Sequence, residues 1–150
     1  MDTTASILAA HPFFKNLDNR HLQVILSCAS RENFTPGQFL CRDHEEARAF
    51  YVILHGRVSV EIYRARRGPV TIQTLGEGEV LGWLWYDQPY HWHLDANALD
   101  LTRVIRLDVG CLLEKCNQDH DLGYELMKRY AHHLAVQFRI TKLQLADMYG

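Results

Sequence analysis

The chain has 150 residues, of which 47% are hydrophobic and 23% charged, and its formal net charge is −2 at pH 7. This length and composition are typical of one ordinary globular domain that buries its own core. The small net charge provides no overall field that would attract nucleic acid or an acidic membrane, so electrostatics does not identify a partner.

The first residues, MDTTASILAAHPFF, carry an acidic Asp2, no basic segment and only a short apolar run. A secretory signal needs a basic start and a longer apolar stretch, and a membrane span needs roughly 20 apolar residues. We therefore expect neither, and we place the protein in the cytoplasm. Residues Ala5 to Ala10 are expected to form a brief helix with Thr3 or Thr4 as its cap.

The segment after Asp18 has the pattern of an amphipathic helix. Asp18 is a good N-cap, because its carboxylate can accept hydrogen bonds from the free N–H groups of a first turn. Apolar residues then recur at i, i+3, i+4 and i+7, namely Leu22, Ile25, Leu26 and Ala29. The sequence thus predicts a helix from about Asn19 to Ala29.

From Phe34 the pattern changes to short β-type runs separated by glycine. In RVSVEIYR the residues alternate as in a half-buried strand, with Val58, Val60 and Ile62 on one face and Ser59, Glu61 and Tyr63 on the other. RARRGP, residues 64–69, is expected to be a solvated hairpin tip rather than a phosphate site, because no glycine-rich loop or aromatic residue accompanies its arginines. Many short strands with turns between them indicate a sandwich or barrel.

The cysteines show no pattern of a metal site. Cys28, Cys41, Cys111 and Cys116 include no C-x-x-C pair and have no histidine cluster beside them. We expect them to be small buried hydrophobes in a reducing compartment rather than metal ligands or a disulfide framework.

The last third of the chain is predicted to be helical. Asp108 can cap a short helix over VGCLLEKC, and a long helix is expected from near Leu122 to about Met148. Within it an apolar seam has the alternating spacing of a two-stranded coil: Met127, Ala131, Leu134, Phe138, Thr141, Leu145 and Met148. A second apolar set, Leu126, Tyr130 and Ile140, could pack on the β-domain and leave the seam free. We therefore expect a homodimer through this helix; the alternative is that the seam packs on the chain's own β-domain.

Several motifs follow one another in an uncommon order: HPFFKNL, HLQVIL, FTPGQFL, FYVILHGRVSVEI, LGEGEVLGW and ALDLTRVIRLD. Together with the long helix they extend from about His11 to Gly150, and they resemble the cyclic-nucleotide-binding domain family, the sensor half of catabolite-activator-type bacterial regulators. The resemblance implies an α+β fold: an antiparallel β-roll, or double-stranded β-helix similar to a jelly roll, with short N-terminal helices and a long C-terminal helix. It also implies one domain, 1–150, with the β-roll at about 34–108 and the C-terminal helices at about 109–149.

In that family the ligand lies inside the β-roll, where a glutamate holds the ribose and an arginine neutralises the cyclic phosphate. Gly82 matches the family's glycine, but Trp83 stands where the glutamate would be. Alignment backward from ALDLTRVIRLD places Trp92 at the arginine position and His93 just after it. Loss of a charge-assisted contact to a buried phosphate removes about 1.5–3 kcal/mol of binding. The resemblance therefore implies a regulatory small-ligand sensor that does not bind cAMP or cGMP in the usual way; no firm cofactor is assigned, and a cyclic nucleotide remains a candidate ligand.

All three tryptophans of the chain lie in one segment, LGWLWYDQPYHWHLD, together with two histidines. In one interpretation the indoles line a pocket for a flat ligand and a histidine supplies a polar contact. In the other they fill the former cavity, and the domain is a ligand-free dimerisation or protein-docking module. The candidate ligand-binding residues are Gly82, Trp83, Leu84, Trp85, His91, Trp92 and His93.

Other functions lack the residues that they require. His91 and His93 form an H-x-H pair, but ordinary strand alternation explains why His93, Asp95 and Asn97 would point outward, so no metal site is assigned. The sequence holds no G-x-S-x-G, P-loop or H-E-x-x-H motif, and no catalytic residue is assigned; we expect no enzyme. In the regulators that the chain resembles, a helix-turn-helix domain follows the long helix, whereas this sequence ends there without a basic patch, and DNA binding is not expected.

Overall fold

The computed structural model describes residues 3–82 and 90–150, which form short helices, two β-sheets and one long helix. The helices are α1 (Thr4–Ala10), α2 (Asn19–Leu26), α3 (Val109–Gln118) and α4 (His120–Tyr149). The strands are β1 (Ala29–Phe34), β2 (Phe39–Cys41), β3 (Ala49–His55), β4 (Val58–Arg64), β5 (Gly68–Leu75), β6 (Val80–Leu81), β7 (Asp95–Ala98) and β8 (Thr102–Asp108). The chain divides into two compact units, Met1–Leu113 and Glu114–Gly150.

The first unit contains two antiparallel sheets, each four-stranded within the described residues. Their strand orders are β1-β8-β3-β6 and β2-β7-β4-β5, so strands that are distant in sequence are neighbours in both sheets. Side chains of both sheets form one buried core, which includes Phe34, Ile53, Val58, Ala96 and Val104. This arrangement confirms the predicted α+β fold with an antiparallel β-roll.

The two N-terminal helices begin where their caps predict. Thr3 and Asp18 accept hydrogen bonds from first-turn N–H groups, at 3.1 and 2.8 Å. However, α2 ends at Leu26 and not at Ala29, so the predicted end was wrong. Ala29 instead begins β1 and pairs with Leu107 of β8. The strands therefore start at residue 29, before the predicted start at residue 34. Long-range strand pairing thus overrides the helical periodicity at this point.

The hairpin formed by β4 and β5 has its turn at residues 65–67, inside the predicted tip. Val58 and Val60 are buried as the alternation predicts, whereas Ile62, on the same face, is 42% exposed because the hairpin extends beyond the core. Ser59, predicted on the polar face, is buried, and its hydroxyl donates a hydrogen bond to a carboxylate oxygen of Glu61 at 3.0 Å.

β5 lies at one edge of the described second sheet. Near the hairpin tip, Pro69 of β5 stands opposite Tyr63, and the register of the hairpin shifts between Val60 and Glu61. A proline within a strand cannot donate to a sheet ladder, and it is therefore tolerated at an edge.

Both C-terminal helices are capped by aspartate. Asp108 accepts a hydrogen bond from the N–H of Cys111 at 2.8 Å, as the sequence predicts for the start of α3. Asp119 caps α4, which therefore begins at His120, slightly before the predicted start. Among the described residues, none of the helices is long and apolar enough to cross a membrane.

The two apolar sets predicted along α4 differ in burial. Leu126 and Tyr130 of the second set are buried, whereas Ile140 is 42% exposed. The seam is half-buried at Met127 and exposed at its remaining positions, Ala131, Leu134, Phe138, Thr141, Leu145 and Met148. The seam is thus open to solvent in the single chain, and the homodimer stays a prediction.

The cysteine prediction was wrong for one pair. Cys28 and Cys111 form a disulfide with a Cα–Cα distance of 5.6 Å, whereas Cys41 and Cys116 are buried and free, as expected. The pairing of β1 with β8 brings the end of α2 beside the start of α3, which spacing along the chain does not reveal.

Candidate functional site

The backbone around Trp92 is fixed by the segment that precedes β3. The N–H of Trp92 donates to the carbonyl of Glu45, and its own carbonyl accepts from the N–H of His44, both at 2.8 Å. A third bond runs from the N–H of Ala47 to the carbonyl of Tyr90, also at 2.8 Å. Because three backbone hydrogen bonds join residues 90–92 to residues 44–47, the fold sets the direction of the Trp92 side chain.

The indole of Trp92 lies inside the β-roll. Trp92 is 4% exposed and belongs to the core formed by both sheets. Gly82 has a φ of +96°, and a Cβ at this position would collide with the six-membered ring of Trp92 and lie 3.3 Å from the Cβ of Phe50. Only glycine allows the backbone to pass so close to the indole in this conformation. At the position where the resemblance expects an arginine, the chain therefore places a ring that fills space.

The other predicted site residues do not join Trp92 in the interior. His91 and His93 are exposed, and His93 contacts the ring of Tyr90 edge-on, with centroids 5.8 Å apart. The structure thus brings Gly82 and Trp92 together and leaves both histidines at the surface. The predicted contributions of Trp83, Leu84 and Trp85 lie outside the described residues.

A cavity of about 400 Å³ lies beside Trp92. Its less polar wall is formed by Leu40, Cys41, Ala49, Tyr51 and Trp92. Its charged lining consists of Glu45, Glu46, Arg48 and Arg106. This volume is that of a small-molecule site, and the lining offers both apolar contacts and polar groups.

The charged groups of the cavity are balanced. Arg48 pairs with Glu46 at 3.3 Å, and Arg106 pairs with Asp108 at 3.4 Å. Glu45 accepts a hydrogen bond from the backbone N–H of Arg42 at 2.9 Å. Since each cation has an acidic partner, the lining favours a neutral or zwitterionic molecule over a strong anion.

Two titratable groups in the cavity wall keep their protons at neutral pH. Burial, reinforced by the negative charge of Asp95, raises the pKa of the Cys41 thiol to about 12. Burial, followed by the negative charge of Glu32, raises the pKa of Tyr51, although Arg106 opposes this shift. Cys41 is therefore not a nucleophile, and the Tyr51 hydroxyl can donate a hydrogen bond.

Around β7, strand alternation explains the residues that suggested a metal site. Ala96 and Ala98 are buried, and Asp95 is held in place by the N–H of Asp43 at 2.7 Å and by Arg42 at 3.5 Å. Within residues 3–82 and 90–150, no three His, Cys, Asp or Glu side chains are grouped so as to hold a metal ion.

Sequence reasoning missed Tyr51 and Arg106 as parts of the site. They stand opposite each other in the pairing of β3 with β8, strands separated by about a third of the chain. Sequence alternation alone places each on a strand, and only the pairing register places both beside Trp92.

Comparison with solved structures finds the same fold in several bacterial proteins. A cyclic nucleotide-binding domain from Methylobacillus flagellatus KT superposes with a TM-score of 0.81 at 18% identity, covering 96% of this chain and 81% of that one. The sensor domain of the transcriptional regulator DNR from Pseudomonas aeruginosa gives a TM-score of 0.71 at 19% identity, covering 89% of each chain. The catabolite activator protein of Thermus thermophilus gives 0.74 at 20% identity, covering 92% of this chain and 63% of that one.

A search of curated proteins finds no match. The family model of the cyclic nucleotide-binding domain matches residues 31–119, more than half of the chain. The matched region runs from β1 to the end of α3 and includes Gly82 and Trp92. This chain belongs to the cyclic nucleotide-binding domain family.

Proposed function

We propose that the chain is a regulatory, non-enzymatic sensor module whose β-roll does not hold cAMP or cGMP in the way usual for its family. The observation that carries this proposal is the burial of the Trp92 indole against Gly82. An indole offers a cyclic phosphate neither the charge nor the paired donors of a guanidinium. A phosphate buried beside it would lose its hydration, and the nearby Arg48 and Arg106 already pair with Glu46 and Asp108.

The cavity beside Trp92 supports a sensor for a different ligand. We place there a small, flat molecule without net negative charge, with its ring against the apolar wall and a polar edge near Tyr51 and Arg106. Ligand binding would favour one arrangement of the Gly82–Trp92 contact over others and so change the signal that the domain passes on. His91 and His93 are exposed, and we assign them no contact with this ligand.

A titration with cAMP and cGMP tests this proposal. Tryptophan emission and calorimetry should show no saturable binding up to millimolar concentration. The double variant Trp83→Glu/Trp92→Arg should bind a cyclic nucleotide measurably, because it supplies the acid and guanidinium that the family uses, while Trp92→Phe should not. Micromolar binding of cAMP or cGMP by the unmodified chain would overturn the proposal.

The burial of Trp92 also favours a second candidate, a ligand-free dimerisation or docking module. Both candidates use a homodimer through the seam of α4, and the exposure of Phe138 and Met148, at 65% and 83%, supports this dimer. A thermal-shift screen with small heterocycles distinguishes the candidates. A compound that stabilises the protein, with an effect that Arg106→Ala and Tyr51→Phe abolish, indicates a sensor; no stabilisation by any compound indicates the docking module.

A further inference from the structure

The disulfide between Cys28 and Cys111 connects two places that the backbone already holds together. Cys28 lies between α2 and β1, and its carbonyl accepts a hydrogen bond from the N–H of Asp108 at 3.0 Å. The next residue, Ala29, pairs with Leu107 of β8. Because this ladder does not depend on the sulfur–sulfur bond, the two thiols would remain neighbours after reduction.

The two cysteines differ in access to solvent. Cys28 is 5% exposed, whereas Cys111 is half-buried and lies in the first turn of α3. The thiolate is the form that attacks a disulfide, and the attacking sulfur must be accessible to the small molecule. Cys111 is therefore the sulfur that a small molecule in solution reaches first.

The remaining cysteines do not compete for this exchange. Cys41 and Cys116 are buried and free. Burial raises the pKa of both thiols, to about 12 in Cys41. At neutral pH both stay protonated and out of reach of a soluble oxidant.

We propose that Cys28 and Cys111 are a reversible thiol–disulfide pair that reports the thiol–disulfide balance around the protein. In the oxidising direction, the Cys111 thiolate attacks a small-molecule disulfide such as glutathione disulfide, forming a mixed disulfide and releasing one thiol. The Cys28 thiolate then attacks the Cys111 sulfur, so the protein disulfide forms and the second thiol leaves. Two electrons and two protons pass from the protein to the small molecule, and an excess of the thiol reverses both steps.

The redox state of the pair would control the local stability of the first turn of α3. When oxidised, the first turn of α3 is covalently tied to the residue before β1. When reduced, it is held by Asp108, by backbone hydrogen bonds and by the burial of Val109 and Leu112. α3 continues into the unit Glu114–Gly150, which carries the exposed seam. The redox state would thereby set the local stability of the connection between the two units.

Redox buffers and mass spectrometry test the reversibility. The folded protein is equilibrated in glutathione buffers of graded ratio, quenched with acid and alkylated. We expect complete, reversible conversion between one disulfide and none, confined to Cys28 and Cys111, without denaturant. The same result is expected for Cys41→Ser, the matched control. Absence of the disulfide at every ratio, or reduction only after unfolding, would overturn the proposal.

Hydrogen exchange tests the consequence. Amides of α3 should exchange several-fold faster in the reduced protein than in the oxidised one, and Cys28→Ser and Cys111→Ser should match the reduced protein under both conditions. Equal exchange in the oxidised and reduced proteins would contradict a regulatory role. These readouts involve no ligand, so they do not depend on the proposed sensor function.

Discussion

The contact between Gly82 and Trp92 can be measured with a double-mutant cycle. Trp92→Ala removes a fully buried indole and should lower the free energy of unfolding by about 3–5 kcal/mol. Gly82→Ala adds a methyl group that collides with the indole, at a cost of about 1–3 kcal/mol. The positive φ of Gly82 adds about 1–2 kcal/mol, a term that is independent of Trp92.

When Trp92 is already alanine, the collision with the indole disappears, and the backbone term and the 3.3 Å approach to the Cβ of Phe50 remain. Gly82→Ala should therefore cost about 1–3 kcal/mol less in the Trp92→Ala protein than in the original. Gly78→Ala is the matched control, because Gly78 has a φ of +83° and nothing within 4 Å of an added Cβ. Its cost should be the same in both backgrounds.

The assay is urea denaturation followed by circular dichroism, which does not rely on tryptophan emission. The double variant should lose about 4–7 kcal/mol, so the cycle requires an original protein stable by more than about 7 kcal/mol, within the about 5–15 kcal/mol of a typical domain. Equal costs of Gly82→Ala in the two backgrounds would refute the packing of the indole against Gly82, and with it the observation on which the proposed function depends.

Three further predictions concern the helix seam, Cys41 and the disulfide. If the proposed homodimer forms through the seam, the original chain should sediment as a dimer and Phe138→Glu, which places a charge in the seam, as a monomer. Leu143→Glu, 61% exposed and on the opposite side of the heptad, should leave the dimer intact. A monomeric original chain or a dimeric Phe138→Glu protein would contradict the seam. Burial raises the pKa of Cys41 from an ordinary 9.0 to about 12 in the folded protein. Between these pH values the unfolded chain loses a proton that the folded chain keeps, so the free energy of unfolding should fall as the pH rises. The fall should be less steep in Cys41→Ala. Identical slopes in the two proteins would show that this thiol does not contribute. The disulfide closes a loop with a sequence separation of 83 residues and should stabilise the oxidised protein by about 4–5 kcal/mol. Denaturation of Cys28→Ser should show the loss of this stability. Equal stability of the oxidised original protein and Cys28→Ser would count against the disulfide.

Local signals in the sequence predicted much of the fold. Asp18 and Asp108 were identified as caps because their effect acts over a single helical turn, and the structure contains both hydrogen bonds. The burial of Val58 and Val60 followed from strand alternation in the same way. Such features depend on residues that are close in the sequence, and a single sequence is therefore sufficient to predict them.

Features that depend on strand register could not be predicted. The end of α2, the Cys28–Cys111 bond and the pairing of Tyr51 with Arg106 all follow from which residues of β8 stand opposite β1 and β3. The sequence left open whether Trp92 lines a cavity or fills one, and the structure places it in the core with a cavity at its side. That distinction needs the positions of both sheets, which no spacing along the chain contains.

Within the part of the chain that the structure describes, β5 has no strand on its outer side, and this edge affects how copies of the chain could associate. A long exposed strand edge is a template for sheet-to-sheet polymerisation, and folded proteins commonly interrupt such edges. Here Pro69 removes one donor, the bulge near Glu61 distorts the ladder, and the arginines of the tip, residues 64–67, add positive charge. An approaching strand would find broken pairing and electrostatic repulsion, so open-ended fibrillar growth is disfavoured at this edge.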